Sequence, residues 1–350
     1  MQTINRKVID VCGIGHSGKT LVNQILSHHA KIHVHNPLFE FNLLRVYGGL
    51  INLKSNLVDN FSPNRVDMAI SQFRHLIKTI SPSAKISNVK SILNSNGWNY
   101  NEILQCDFEQ ISYDYIDSLI DFETKSVWPY PEIYNSRFNR LIKRIGVRLF
   151  NYNHKHKLIF SSANDFDAKT QLYLENILFN SGKDIVCTNN MFEPYNPGKY
   201  FNFFKNPYLI VVWRDPRDIY VSTKESNDNY IPDFETKKSI DRHHKSFTLS
   251  SNLNHFILRE KILLSRCNFN NSDRVLNLKF EDIVFRFDEA VNKISNFLNL
   301  KFDDIDLIKE SINVNKSKSN IGLWKNYDKQ SEIDFINKEL ADYMKFFNYE

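Results

Sequence analysis

Residues 6–30 set a strand, a glycine-rich turn and a helix in immediate succession, and this narrows the possible folds more than any other part of the chain. Val8, Ile9, Val11 and Cys12 form a short apolar run suited to a buried parallel strand. Gly13, Gly15 and Gly18 then allow the backbone to approach a ligand closely. Leu21, Val22, Ile25 and Leu26 follow at helical spacing. The N–H groups at a helix N-terminus attract anions, and a loop folded in front of them can wrap a phosphate. The spacing Gly13-x4-Gly18-Lys19-Thr20 satisfies the full phosphate-loop pattern, with strand and helix where the mechanism needs them. It predicts that a phosphate-like group binds at residues 13–20, against the plainer alternative of a glycine-rich connecting turn.

A second segment, 208–226, bears on which phosphate compound this is. Residues 209–213 are a continuous apolar, β-branched run and predict another central strand. Arg214, Asp215, Pro216, Arg217 and Asp218 end it abruptly. Pro216 suits the first turn of a helix and Asp215 the N-cap before it, which puts Arg214 at the carboxyl edge of the strand. Open parallel sheets bind ligands outside that edge. Arg214 and Arg217 together are expected to form an oxyanion clamp, because the planar guanidinium fork matches phosphate geometry. The competing reading pairs both arginines with Asp215 and Asp218 in a surface cluster.

Together these segments resemble the sulfotransferases that use 3′-phosphoadenosine-5′-phosphosulfate (PAPS). The first signature of that family is a strand, a loop G-x-x-[RK]-S-G-T-T and a helix; here the loop reads Gly13, Ile14, Gly15, His16, Ser17, Gly18, Lys19, Thr20. The second is a strand ending in Arg-Asp-Pro-Arg-Asp with a serine eight residues after the first arginine, matched by Arg214 and Ser222. A late strand followed by the acidic pair Glu281 and Asp282 looks like the third, and Gly322 with Trp324 like the fourth. The signatures occur in the family's order and cover roughly residues 6–40 and 185–327.

The resemblance implies a fold and a set of roles. The fold is an α/β, phosphate-loop three-layer architecture: a central parallel sheet flanked by helices on both faces, in one domain over 1–350. A mostly helical insertion at about 41–156 is expected to shape the acceptor site. The implied activity is transfer of a sulfuryl group from PAPS to a hydroxyl acceptor, with a saccharide expected, and no metal. Gly15, His16, Ser17, Gly18, Lys19 and Thr20 would hold the 5′ phosphosulfate end. Arg214 and Ser222 would take the 3′-phosphate, with Lys316 or Lys318, before Gly322, closing over the nucleotide. This chain departs from the pattern by having His16 where the family has Lys or Arg, and Lys19 where it has Thr. Either could be the cation that offsets charge on the leaving group. The base that deprotonates the acceptor is expected shortly after the first helix, at Glu40 or else His35; His33 precedes them.

The runner-up is a Mg²⁺-dependent phosphate-loop kinase or NTPase, with Thr20 and an acidic strand-end residue such as Asp215 on the metal. Flanking arginines are unfavourable there, and no NKxD motif occurs. A non-catalytic nucleotide-binding module would leave Arg214, Ser222 and residues 322–325 without a role.

Elsewhere the chain is less specific. Its 350 residues can bury a large α/β core, and a net charge of +5 is too mild to argue for nucleic acid. The 27 phenylalanines and 16 tyrosines could line a sugar cleft, although core packing explains them more simply. The four cysteines, Cys12, Cys106, Cys187 and Cys267, form no close pair and predict neither a disulfide framework nor a zinc site. Without an apolar leader or an 18-residue apolar stretch, a cytoplasmic location without a membrane span is expected. Residues 41–51 look helical, 65–80 carry an amphipathic pattern, 81–95 read as loop, and 127–131 as a rigid aromatic turn. A basic helix is expected at 138–152, its charges forming a solvated face. Residues 158–160 read as a strand where the α/β alternation resumes, followed by a helix at 169–180 and a strand at 185–187. Asn189, Asn190 and Glu193 at that strand's end are candidate acceptor contacts, or else turn formers.

Overall fold

The structure, a computed structural model, describes residues 6–36, 39–82, 98–126, 136–150, 156–226, 252–312 and 314–349. In chain order the elements used below begin with β1 (Lys7–Cys12), α1 (Lys19–Ser27), β2 (Ile32–Val34), α2 (Pro63–Ile80), α3 (Phe108–Leu119), β3 (Phe122–Ser126) and α4 (Arg137–Phe150). They continue with β4 (His156–Phe160), α5 (Phe166–Leu178), β5 (Ile185–Asn189), β6 (Pro207–Trp213), α6 (Pro216–Ser226), α7 (Leu253–Leu264) and β7 (Val275–Lys279). The last are α8 (Phe280–Phe285), α9 (Phe287–Leu298), α10 (Gln330–Glu339) and α11 (Ala341–Phe347). The chain divides into two compact units, one of residues 1–44 and 178–350 and the other of residues 45–177.

The first unit is built on a five-stranded sheet in the order β2-β5-β1-β6-β7, with every pairing parallel. β1 lies at its centre because its residues are apolar on both faces: Val8, Ile9, Val11 and Cys12 are all buried. Val8 sits beside Val186 of β5, and Val11 beside Ile210 of β6. On one face Ile9, Val11, Ile210, Val212 and Leu278 pack with Val22 and Ile25 of α1 and Val291 and Ile294 of α9. On the other, the Trp213 indole meets the rings of Tyr343 and Phe347 from α11, at 6.4 and 5.8 Å between centroids. Helices therefore cover both faces, as a parallel sheet requires. The chain runs from β1 outward to β2 and later returns to fill the positions on either side of β1. The 13–20 loop thus leaves the sheet at the point where strand order reverses, the usual ligand crevice of open α/β sheets.

The second unit has its own core. Val66, Ile70, Phe73 and Ile77 form the buried stripe of α2, and Tyr115 of α3 stacks on Tyr173 of α5 with centroids 4.4 Å apart. The two phenols are satisfied by Thr170 and Ser112, each at 2.7 Å, so these aromatics serve packing. Two expectations are corrected here. β4, which contains 158–160, pairs antiparallel with β3 instead of joining the central sheet. Residues 41–49 form turns, with Gly48 at φ 82°, and helix begins only at Leu50. In α4 the exposed Arg140, Arg144 and Arg148 agree with a solvated face, and Phe138, Leu141, Ile142, Ile145 and Leu149 are exposed as well. The aromatic turn at 127–131 and most of the loop at 81–95 lie outside the described residues.

Candidate functional site

The loop after β1 is shaped by two left-handed residues, His16 at φ 63° and Gly18 at φ 84°. A Cβ on Gly18 would lie 2.3 Å from the Phe280 ring, so both conformation and space demand glycine there. The Ser17 amide closes the turn by donating to Ile14 O at 3.0 Å and is thereby spent. The amides of Gly18, Lys19 and Thr20 remain for an anion at the start of α1, where no side chain caps the helix and no acidic residue stands in the first turn. The Ser17 hydroxyl is buried without a partner among the described residues. Gly15 is exposed and Thr20 half-buried on the same loop.

The second segment folds as its residues dictate. Asp215 caps α6, its carboxylate accepting the Arg217 amide at 2.9 Å and its carbonyl the Ile219 amide at 3.0 Å. Arg214 therefore stands at the end of β6, only 4% exposed. Its two terminal nitrogens donate to backbone carbonyls, Nη1 to His16 O at 2.7 Å and Nη2 to Asn320 O at 2.5 Å. Its Nε is buried and has no partner among the described residues. Ser222, two turns along α6, brings its hydroxyl to 3.3 Å from His16 Nδ1. His16 is thus the residue on which the 13–20 loop and the 208–226 segment meet.

Arg217 takes no part in a clamp with Arg214. Its guanidinium grips Asp215 through Nε and Nη2, the latter at 2.6 Å from Oδ2, donates to Asn337 and lies 3.9 Å over the Trp324 ring. The expected pair of arginines is corrected to one, because Arg217 is fully committed to holding α6 and residues 322–326 together. Asp218 completes that tie by accepting the amides of Gly322 at 2.8 Å and Trp324 at 3.3 Å. With the Arg217 guanidinium on it, the Asp215 carboxylate is poorly placed to hold Mg²⁺, which weighs against Asp215 as a metal ligand in the kinase reading. Among the described residues no cluster of three His, Cys, Asp or Glu is arranged to hold a metal ion. Lys316 and Lys318 are exposed on the helical turn Val314–Lys318, and Lys318 lines a cavity of about 410 Å³ with Phe287 and Val314.

The residues expected to supply a base separate clearly. Glu40 lies 3.7 Å from the Lys19 ammonium on the first turn of α1, and its Oε1 accepts Asn190 Nδ2 at 2.6 Å. The same Asn190 accepts the Gly13 amide through Oδ1 at 3.2 Å, so one side chain ties Glu40 to the start of the phosphate loop. His35 is buried elsewhere in the unit, its Nε2 at 3.1 Å from Leu178 O and its ring edge-on to His33 at 4.6 Å. Glu193 accepts the Tyr200 hydroxyl at 3.0 Å.

Electrostatics divide the two candidate cations. Burial, then the charges of Arg214, Lys19 and Arg259, push the His16 pKa down to about 4, so its imidazole is neutral at pH 7. Burial lowers His35 to about 4 as well. Arg214 is lowered by burial and held up by Asp218, Glu281 and Asp215.

Sequence reasoning missed three contributors. Asp10, buried in mid-strand, accepts Thr188 Oγ1 and the amides of Met191 and Phe192 at 2.8–2.9 Å, which fixes the turn carrying Asn190. An acidic residue inside the apolar run of β1 was the available signal. From the sequence Asn190 is only an acceptor contact or turn former. Arg259, on α7, offered no local signal at all.

A sulfotransferase domain family matches residues 146–346. Among solved structures the chain is similar to the sulfotransferase domain of the curacin biosynthetic pathway, with 13% identity, TM-score 0.40, and 96% of this chain and 98% of that one covered. It is also similar to the sulfotransferase domain of the Synechococcus PCC 7002 olefin synthase, with 11% identity, TM-score 0.39 and coverage of 100% and 98%. A third likeness is to retinol dehydratase in complex with androsterone and inactive cofactor PAP, with 14% identity, TM-score 0.36 and coverage of 97% and 80%. No curated protein matches. The family match spans more than half of the chain, over the segments that carry β5 to β7, Arg214, Ser222 and Gly322; the chain belongs to the sulfotransferase domain family.

Proposed function

We propose that this protein transfers a sulfuryl group from PAPS to a hydroxyl, and that the acceptor is a saccharide. The observation that carries the reading is the junction at His16. Arg214 binds its carbonyl at 2.7 Å and Ser222 approaches its ring at 3.3 Å, so the 5′ and 3′ phosphate segments form one surface. Beside that junction two polar atoms, Ser17 Oγ and Arg214 Nε, are buried without partners among the described residues, which supports a ligand with phosphate at both ends. When bound, PAPS supplies an activated sulfuryl group on a phosphate leaving group.

The chain's own residues divide the remaining work. The amides of Gly18, Lys19 and Thr20, with the dipole of α1, hold the phosphosulfate end. The Lys19 ammonium offsets charge growing on the leaving oxygen, whereas neutral His16 orients Ser222 and carries the carbonyl that Arg214 binds. Arg214 Nε and the Ser222 hydroxyl take the 3′-phosphate, with Lys316 or Lys318 and the Gly322 turn closing the nucleotide site. Glu40 accepts the acceptor's proton at its carboxylate, and Asn190 holds that carboxylate in place. His35 is the weaker base, because its ring is buried against the Leu178 carbonyl. Acceptor selection belongs to the helical insertion at about 41–156, as the family resemblance implies.

Calorimetry with 3′-phosphoadenosine-5′-phosphate (PAP) and with ATP, each with and without chelator, tests the donor. PAP should bind equally well with chelator present, and Mg²⁺-dependent ATP binding without PAP binding would overturn the reading. Incubation with sulfur-labelled PAPS and separate panels of saccharides, phenols and steroids tests the acceptor. Label moving only to phenols or steroids would remove the saccharide assignment while leaving the donor intact.

A further inference from the structure

α4 contains no acidic residue, while Arg137, Arg140, Lys143, Arg144 and Arg148 give it five positive charges in 14 residues. Phe138, Leu141, Ile142, Ile145 and Leu149 share one face, within an arc of about 100° at 3.6 residues per turn. That face is in water: the five side chains are 68, 54, 51, 45 and 69% exposed. The contrast with α2 of the same unit is informative, because Val66, Ile70, Phe73 and Ile77 of its stripe are at most 1% exposed. The four arginines are also exposed and occupy an adjoining arc of about 80°. α4 therefore presents an apolar stripe with a cationic flank. A helix this short is marginal in water without burial of its apolar face.

Charge limits what can cover the stripe. A second copy of α4 would bring two five-charge helices together with no acidic residue on either to offset them. Nucleic acid could meet the arginines but offers nothing to Phe138, Leu141 and Leu149. An anionic bilayer surface satisfies both faces, with the stripe at the acyl boundary and the arginines among the headgroups. We propose that α4 docks this protein on anionic lipid membranes, lying in the plane of the interface. Such binding is peripheral; no helix among the described residues is long and apolar enough to cross a membrane.

Co-sedimentation of the full chain with vesicles of phosphatidylcholine, alone or with about a third phosphatidylglycerol, tests the proposal. Binding should require the anionic lipid and weaken as salt rises. Arg140→Gln with Arg144→Gln should weaken it about 30-fold, at roughly 1 kcal/mol per basic residue. Ile142→Ser with Ile145→Ser should abolish it. Because all four positions are exposed, PAP affinity and thermal stability should stay at parent values in both variants. No binding to either vesicle, equal binding to both, or a dimer in solution that the serine variant dissolves would each overturn the proposal.

Discussion

Arg214→Ala offers the sharpest test of the proposed nucleotide site, because the structure separates what the guanidinium does for the fold from what it offers a ligand. Nη1 and Nη2 are spent on the His16 and Asn320 carbonyls, while Nε is left over in a group only 4% exposed. If Nε meets the 3′-phosphate, the substitution removes one charge-assisted contact, worth about 1.5–3 kcal/mol, or roughly 10- to 150-fold in affinity. It also frees two carbonyls and loosens the 13–20 loop, but that damage falls on any nucleotide whose 5′ phosphate sits there. The measurement is therefore a ratio. Titration calorimetry gives the loss of affinity for PAP divided by the loss for adenosine 5′-phosphate, which lacks the 3′ group. The loop's contribution cancels, and the quotient should be about 10 or more. A quotient near one, with PAP and adenosine 5′-phosphate weakened alike, would mean that Arg214 only braces His16 and Asn320, and the 3′-phosphate assignment would fall.

Glu40→Gln should keep PAP affinity and the Asn190 contact while turnover falls about 10²- to 10⁴-fold in a labelled-PAPS assay; normal turnover would remove Glu40 as base. His16→Asn, which tolerates the left-handed backbone, should retain most turnover because no charge is lost, whereas Lys19→Met should lose most of it; the opposite ranking would make His16 the working group. Gly18→Ala should unfold at lower temperature and lose PAP binding, since its Cβ would lie 2.3 Å from the Phe280 ring; calorimetry matching the parent would refute the tight approach. Burial raises Glu281 from 4.5 to about 7, so the folded state holds its proton more tightly than the unfolded state, and stability falls as pH rises through that window by about 3 kcal/mol. Glu281→Gln should accordingly be more stable than the parent at pH 8 and nearly equal to it at pH 4, and a gap widening toward acid would reverse the sign.

The parts of the site that were legible in the sequence are local. The 13–20 loop is read from spacing because strand, turn and helix N-terminus are consecutive, and Asp215 and Pro216 announce the start of α6 by capping chemistry alone. What escaped depends on partners far along the chain. Nothing near Arg217 says that it will lie on Trp324, 107 positions later, and not beside Arg214. β4 has the composition of a central strand, but register with β3 claims it for the second unit. Glu40 could be placed only to within a zone, since its position is set by Asn190, 150 residues away, whose own turn is held by Asp10. Hydrogen bonds that run across a sheet edge leave no periodic trace.

The departure at His16 and Lys19 also has a physical reading that the sequence alone left open. His16 carries Arg214 on its own carbonyl and feels the charges of Lys19 and Arg259 as well. A permanent cation at position 16, as in the resembling family, would add another positive charge to that cluster at a largely buried position. Imidazole avoids the cost: its pKa drops to about 4, it stays neutral, and its Nδ1 is still within 3.3 Å of the Ser222 hydroxyl. The positive charge lost at 16 is recovered at 19, on the first turn of α1, where Glu40 at 3.7 Å balances it. Lys19 and Glu40 thus form an ion pair whose carboxylate Asn190 ties to the Gly13 amide. If the proposed roles hold, an anion arriving at the amides of Gly18, Lys19 and Thr20 would compete with Glu40 for Lys19 and weaken the ammonium's hold on the proposed base. On those proposed roles donor binding and readiness of the base would be coupled through a single lysine, which a serine or threonine at position 19 could not accomplish.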